Sequence, residues 1–374
     1  MRSARRTLLF ASRLAVAGVA VGFGACAGVQ QTTVEMDPMT FQVVDQGGRI
    51  TVEEMDPAVL FRDGNRAFEA GDWATAARKY GLVHAQFPES RFAIVSAYNA
   101  ALALEHDGKC EAALPLYRHV VAKTSGSKDA QDALFRVAAC GETLGRWELT
   151  LETCDEILRP HNPTIGIVDR IGARVHRGFA RQKLGQLALA ERDFKEALAE
   201  FQRHLDVPAL GKSPEVSLAQ FQIGELYRDL FASIRFKLPT DRMARDLQDK
   251  SNFFLMAQSA YLKTLRLQHA NYAVVAGYRL GALYEVMYDD MMAAEIPPEL
   301  TRDEVEEYYE ELRSKIRPLL VRAIDIYERN LRMGQRLGTT SDWVERTETN
   351  LARLKEVLRQ DSTREAEAQL RQPN

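Results

Sequence analysis

Apolar residues recur at helical spacing along most of the chain, from about residue 57 to about residue 358. Such spacing places the apolar positions on one face of an α-helix. Between residues 56 and 360 we find no run that alternates apolar and polar residues with the β-branched enrichment and turn residues of a strand. The pattern therefore predicts an all-α protein.

One arrangement of residues returns at a fixed interval within this helical region. The segment GDWATAARKY, residues 71–80, combines a glycine, a tryptophan, an alanine and a tyrosine. A roughly constant period of 20–50 residues is typical of architectures built from stacked units. The matching positions, 37 residues apart, are Gly71, Gly108 and Gly145; Trp73, Cys110 and Trp147; Ala76, Ala113 and Thr150; and Tyr80, Tyr117 and Cys154.

This pattern resembles the tetratricopeptide repeat (TPR) family, in which two antiparallel helices cross at a small residue. In the first repeat Gly64 takes the place of that small residue, Gly71 marks the turn, and Ala76 and Tyr80 share one face of the second helix. The resemblance implies a TPR solenoid, a right-handed superhelix of antiparallel helix pairs. The small residues expected at the later crossings are Ala101, Ala138 and Gly178, followed by Gly224 and Gly281 in two looser repeats.

The repeats predict how the chain is divided. Polar insertions at 232–250 and 289–315 separate the helices of the two looser repeats, which indicates lengthened helices or elaborated loops. The predicted segments are a signal peptide at 1–25, a flexible tether at 26–55, a TPR solenoid at 56–335 with four regular repeats to about 205, a capping helix at 336–360 and a disordered tail at 361–374.

The first 25 residues read as an export signal, because basic residues precede the apolar run LAVAGVAVGFGA. That run is shorter than the roughly 20 apolar residues of a transmembrane helix. The sequence GFGAC resembles the lipobox of bacterial lipoproteins, which implies that Cys26 is the acylated residue and carries a palmitate-type membrane anchor. The alternative is an ordinary cleaved signal and a soluble periplasmic protein.

Composition narrows the classes of function. A formal net charge of −3 offers no basic footprint for nucleic acid. The sequence holds no phosphate-binding loop, dinucleotide-binding fingerprint, zinc-protease motif or nucleophile elbow, so it predicts no enzyme, no cofactor and no metal site. Apart from Cys26 there remain Cys110, Cys140 and Cys154, which can form at most one disulfide within the chain.

A peptide-binding groove is predicted on the first helix of each repeat. In carboxylate-clamp TPR proteins, which this chain resembles, two Asn and several basic residues hold a C-terminal carboxylate. Asn65, Asn99 and Arg136 match three of those five positions, whereas Phe61 and Asp132 stand where that group has Lys. We expect the three matching side chains to be exposed and to converge on one surface. The further groove residues predicted are Arg62, Tyr98, Phe135 and His176. The alternative is that all seven are ordinary polar or aromatic surface residues.

These features predict a non-catalytic scaffold that binds envelope proteins or peptide segments and is anchored at the periplasmic side of the outer membrane by the Cys26 lipid. The long insertions, the PPEL segment at 297–300 and the terminal W-V-x-R-T helix resemble the TPR lipoprotein of the myxobacterial gliding-motility complex. FPESRFA at 87–93 resembles the TPR lipoprotein of β-barrel assembly, which implies an outer-membrane assembly factor instead. Two further candidate functions are a soluble periplasmic chaperone adaptor and a regulator of an envelope enzyme.

Overall fold

The computed structural model describes residues 40–45, 50–159, 164–338 and 341–371. Cys26 and the predicted signal peptide lie outside these ranges. The strands described are β1 (Thr40–Asp45) and β2 (Ile50–Met55). The helices described are α1 (Pro57–Glu69), α2 (Trp73–Gln86), α3 (Ala93–His106), α4 (Cys110–Lys123), α5 (Lys128–Thr143), α6 (Trp147–Ile157), α7 (Ile167–Lys183), α8 (Leu187–Arg203), α9 (Pro214–Ser233), α10 (Thr240–Arg266), α11 (Ala270–Met292), α12 (Arg302–Leu337) and α13 (Asp342–Arg371).

A β-hairpin precedes the first helix. Its strands pair antiparallel, with Thr40 opposite Met55 and Asp45 opposite Ile50. The side chain of Met55 is buried with Leu60, Val83 and Phe87 of the first helix pair. Residues 40–45 and 50–55, which fall in the segment predicted to be a flexible tether, are thus paired strands.

The helices form six consecutive pairs, α1–α2 to α11–α12, and α13 packs on the last pair. Each pair brings a small residue of its first helix against the second helix. A Cβ atom at Gly64 would lie 2.7 Å from Cε1 of Tyr80, and one at Gly178 would lie 2.8 Å from Cε1 of Phe194. A side chain at either glycine would displace the ring, so the glycine permits the close approach. The same contact joins Gly224 to Tyr261 and Gly281 to Tyr327. The protein is an all-α solenoid of TPR-type helix pairs.

The four regular repeats share a tight turn between their two helices. The turn glycine adopts a left-handed backbone conformation with φ near 70° in each case, which residues with a side chain rarely adopt. This requirement explains the periodic glycine in the sequence. The turn glycines are Gly71, Gly108, Gly145 and Gly185.

The last two pairs accommodate their insertions mainly by lengthening the second helices, to 27 residues in α10 and 36 in α12. The connection between α9 and α10 is held by Lys250, whose side chain is fully buried. Its Nζ donates to the carbonyl oxygens of Phe231 at 2.8 Å and Ile234 at 3.0 Å, and lies 2.8 Å from Oδ2 of Asp290 in α11. One ammonium group therefore satisfies the end of α9 and links the fifth pair to the sixth.

The segment predicted as a capping helix, 336–360, comprises the end of α12 and most of α13, which extends beyond it. α12 ends only at Leu337, where Gly338 adopts a left-handed conformation, and α13 continues to Arg371. Asp361 is buried and accepts a hydrogen bond from the Tyr288 hydroxyl at 3.1 Å. The helix therefore continues through residues 361–371, where the sequence predicted a disordered tail, and Asp361 contacts α11 at the start of that stretch.

Cys110 and Cys140 form a disulfide, with Cα atoms 5.2 Å apart. Cys110 begins α4 and Cys140 lies in the last turns of α5, so the bond joins the second helix pair to the third. Cys154 remains a buried free thiol. Burial raises the pKa of this thiol, which keeps it protonated and unreactive.

Candidate interaction surface on the first helices

The first helices present a row of polar side chains at equivalent positions, two residues before each crossing residue. We call this set the polar row. Contacts between α5 and α7 and between α7 and α9 bring first helices of neighbouring pairs together directly. The members of the polar row are Arg62 on α1, Asn99 on α3, Arg136 on α5 and His176 on α7. Asn65 lies outside this register, one residue after its crossing glycine.

Asn65 and Asn99 meet at the hydroxyl group of Tyr80. The Tyr80 hydroxyl donates to Oδ1 of Asn65 at 2.6 Å and is also hydrogen-bonded to the Asn99 side chain. Burial raises the pKa of Tyr80 to about 12, although the Asn99 hydrogen bond works against that rise. Because Tyr80 and Asn65 belong to the first pair and Asn99 to the second, this contact connects successive repeats.

Arg136 is held by the second repeat. Its Nη1 donates to Oε1 of Glu105 at 3.1 Å, and it is hydrogen-bonded to Tyr98. The Tyr117 hydroxyl donates to the other oxygen of Glu105 at 2.7 Å. Burial alone would lower the pKa of Arg136, but the Glu105 carboxylate and Tyr98 outweigh burial and raise it. Arg136 is therefore a permanent cation whose charge is already matched.

His176 repeats this arrangement one pair further along. Its Nδ1 lies 2.7 Å from Oε1 of Glu142 on α5. Burial would lower the pKa of His176, but the hydrogen bond and charge of Glu142, with a contribution from Glu215, raise it above the ordinary value. Glu142 thus stabilises the imidazolium form of His176, and their contact ties the fourth pair to the third.

The remaining predicted residues differ in exposure. Arg62 is exposed, and no ion pair of its guanidinium is seen within the described ranges. Tyr98 is half-buried and meets the Tyr117 ring edge-on, with ring centroids 5.6 Å apart. Phe135 is half-buried and packs beside Ala173 of the next repeat. Arg62 is thus the residue of the polar row with the freest charge.

The three residues of the predicted cradle are less exposed than the sequence led us to expect. Asn65, Asn99 and Arg136 are each only partly exposed, and they divide into two groups, one around Tyr80 and one around Glu105. The reason is that neighbouring first helices lie close enough for these side chains to satisfy one another. Each of the two groups bridges two successive repeats.

Sequence reasoning missed the carboxylates that organise this surface. Glu105 and Glu142 both lie four residues after a crossing alanine, and they are 37 residues apart. This shared position within the repeat could have identified both carboxylates from the sequence. Glu285 takes the same place relative to Gly281 and accepts a hydrogen bond from Tyr327.

Metal-binding clusters and membrane-spanning helices are both missing from the part of the chain that the structure describes. No group of three or more His, Cys, Asp or Glu side chains there is placed to hold a metal ion. No helix among the described ranges is both long and apolar enough to cross a membrane.

Comparison with known proteins found no matching family model and no matching curated protein. Solved structures with related architecture do match. A putative kinesin light chain with nearly identical TPR-like repeats from Podosopora anserina is 16% identical, over 56% of this chain and 96% of that one, with a TM-score of 0.39. A tetratricopeptide repeat protein from Parabacteroides merdae is also 16% identical, over 82% of this chain and 98% of that one, with a TM-score of 0.38. A Rap protein complexed with Competence and Sporulation Factor is 14% identical, over 82% of this chain and 76% of that one, with a TM-score of 0.39.

Proposed function

We propose that this protein is a non-catalytic scaffold that binds a peptide segment of another protein along the polar row. The observation that carries the proposal is the row itself: four first helices present hydrogen-bonding side chains in one register, beside the aromatic rings of Phe61, Tyr98 and Phe135. Such a surface offers a bound peptide apolar contacts from the rings and hydrogen-bonding groups spaced one repeat apart. An extended segment lying across the first helices would meet one such position per repeat.

The chemistry of the polar row, and of Asn65 beside it, suits a peptide. The amides of Asn99 and Asn65 can both donate and accept, as an extended backbone requires. The exposed guanidinium of Arg62 can take a carboxylate in a bidentate manner, whereas Arg136 would have to share Glu105. Arg62 therefore replaces Arg136 as the expected charge-reading residue of the surface.

Site-specific photo-crosslinking tests this proposal in the cells that produce the protein. A photoreactive amino acid replaces Arg62 on α1, and the matched control places it at Arg78, which is exposed on α2 of the same repeat. We expect discrete protein adducts from position 62 and none of them from position 78. Absence of adducts at 62, or identical adducts at both positions, would remove the polar row as the binding surface.

We further propose that the scaffold works in a bacterial cell envelope, anchored to the outer membrane through lipidated Cys26. The Cys110–Cys140 disulfide supports an oxidising compartment, since such bonds are rare in the reducing cytosol. Several acyl chains on a mature lipoprotein would each add roughly 0.8 kcal/mol per buried methylene group. We expect Cys26→Ser to move the protein from the membrane fraction to the soluble fraction; a variant that still pellets after a high-salt wash argues against acylation as the anchor.

Among envelope complexes, we propose the gliding-motility type, on the sequence resemblance of the insertions and the terminal helix. An outer-membrane assembly factor is the alternative, supported by the FPESRFA segment that closes the first repeat. The adducts from position 62 discriminate between the two: motility-complex components favour the first, and β-barrel insertion components favour the second.

A further inference from the structure

A groove of about 770 Å³ lies between two successive second helices, α8 and α10, with α9 contributing the buried residues between them. We call it the second-helix groove. It is separate from the polar row, which belongs to the first helices of the first four repeats. Its apolar lining residues are Leu198 and Phe201 on α8, Ile223 on α9, Leu255 and Met256 on α10, and Leu267 just after it.

Two of these apolar side chains are left open to solvent. Leu255 is 57% exposed and Met256 is 41% exposed, on adjacent positions of α10. Contiguous exposed apolar surface beside a groove is typical of a site that another molecule covers. Methionine in particular adapts its shape to different partners.

The charged residues that line the groove itself are all basic. Its lining includes Lys195, Lys263 and Arg266 but no Asp or Glu. Lys195 is paired with Glu191, with Nζ and Oε1 2.5 Å apart. Lys263 and Arg266 are exposed, and within the described part of the chain neither forms an ion pair. This basic border stands out on a chain whose formal net charge is −3.

The dimensions of the groove match a short helix. From Leu255 to Arg266 the lining follows α10 for roughly 16 Å, or about three turns, at about 1.5 Å per residue. An amphipathic helix binds such grooves with apolar side chains on one face, spaced by about three or four residues. Its flanking carboxylates would lie beside the unpaired cations.

We propose that the second-helix groove binds an acidic amphipathic helix of a partner protein, with apolar side chains between Leu198 and Leu255 and carboxylates against Lys263 and Arg266. The polar lining residues include Gln202 and Ser259, whose side chains can hydrogen-bond to polar groups of a peptide. This site is independent of the polar row, so the protein has two binding surfaces of different chemistry.

Fluorescence anisotropy with the full chain tests the proposal. The probe is a labelled peptide that forms an amphipathic helix, with leucine on one face and glutamate on the other. The charge control carries lysine in place of each glutamate. We expect saturable binding of the acidic probe and at least about tenfold weaker binding of the basic one. Arg266→Glu and Leu255→Glu should each weaken the acidic probe by about tenfold or more.

Matched controls lie on the same helix. Leu262 is 40% exposed and Arg245 is exposed, and neither lines the groove. Leu262→Glu and Arg245→Glu should leave probe affinity within about twofold, and unchanged thermal melting of all four variants excludes a folding defect.

Three outcomes overturn the proposal. One is absence of saturable binding by the acidic probe. Another is equal loss of affinity in the Leu255→Glu and Leu262→Glu variants, which would show non-specific apolar contact. The third is binding of fluorescent fatty acid that Leu255→Glu abolishes while the peptide does not compete, which would make the groove a lipid site.

Discussion

The first four helix pairs and the last two solve the same packing problem with different connections. In α1–α8 each pair turns on one glycine, and Cys110–Cys140 covalently joins the second pair to the third. In α9–α12 the second helices are longer, and Lys250 joins the fifth pair to the sixth through buried polar contacts. The glycine–aromatic crossing is common to both regions.

The two regions also differ in how far the charged side chains near the helix crossings are exposed. In the regular region Arg136 and Glu105 are both partly exposed, so they can still meet another molecule. In the elongated region Glu225 and Glu285 are buried, where each accepts a hydrogen bond from the crossing tyrosine and pairs with an arginine. The carboxylates at the last two crossings are therefore committed to internal contacts, as Asp193 is at the fourth crossing, whereas Glu105 remains partly open to solvent.

Breaking the Lys250 contacts should have the largest effect. Lys250→Ala leaves the Phe231 and Ile234 carbonyl oxygens and Asp290 without this cation, and removal of one partner from a buried ion pair costs about 3–5 kcal/mol. Chemical denaturation should show this loss, whereas Lys263→Ala, on an exposed site of the same helix, should change the free energy of unfolding by less than about 0.5 kcal/mol. Equal effects of the two variants would refute the assigned role.

Removal of the disulfide should have the second-largest effect on stability. Cys110 and Cys140 are 30 residues apart, and a bridge of this length contributes about 2–4 kcal/mol. We expect reductant to lower the melting temperature of the wild type but not that of a Cys110→Ala, Cys140→Ala double variant. Cys154→Ala, which removes the free thiol, should remain sensitive to reductant. Insensitivity of the wild type would contradict the pairing.

Overpacking a crossing in the regular region should have a smaller effect. Ala113 is fully buried against α3, and Ala113→Leu should cost about 1–3 kcal/mol. Ala112 is exposed on the same turn of α4, so Ala112→Leu provides the control and should be nearly neutral. Because repeats stabilise their neighbours, hydrogen exchange should rise in the first and third pairs as well. Unchanged exchange in both would place the crossing elsewhere.

The smallest effect is expected from the His176–Glu142 pair. The folded-state pKa of His176 is raised, so the pair stabilises the protein fully below the unfolded pKa of about 6.5, and this contribution is lost as pH rises through the folded-state value. His176→Gln should therefore destabilise the protein by about 0.5–1 kcal/mol at low pH and by less at high pH. If the destabilisation by His176→Gln instead grew with pH, the pKa of His176 would not be raised in the folded protein.

Several features of the fold follow from local spacing and were predictable from the sequence. The 37-residue period, the turn glycines and the small crossing residues each describe one helix or one turn, and the structure confirms an all-α solenoid. Spacing also gives Arg62, Asn99 and Arg136 a shared register at 37-residue intervals, and their role in a binding groove stays a prediction. Asn65 lies three residues later in its repeat than Asn99 does, and its role in the groove also stays a prediction.

What the sequence by itself determined is therefore the repeating unit: which residues turn, which cross and which face of each helix is apolar. The tertiary structure alone decided the partners, because these are brought together by packing between elements rather than by spacing within one. Three contacts each join different helix pairs: Cys110 with Cys140, Arg136 with Glu105, and Lys250 with Asp290. The second-helix groove likewise depends on how neighbouring helices pack, and the helix at 361–371 was not predicted from local spacing. A helical period of apolar residues indicates that one face of a helix is buried, but it does not identify the element that covers this face.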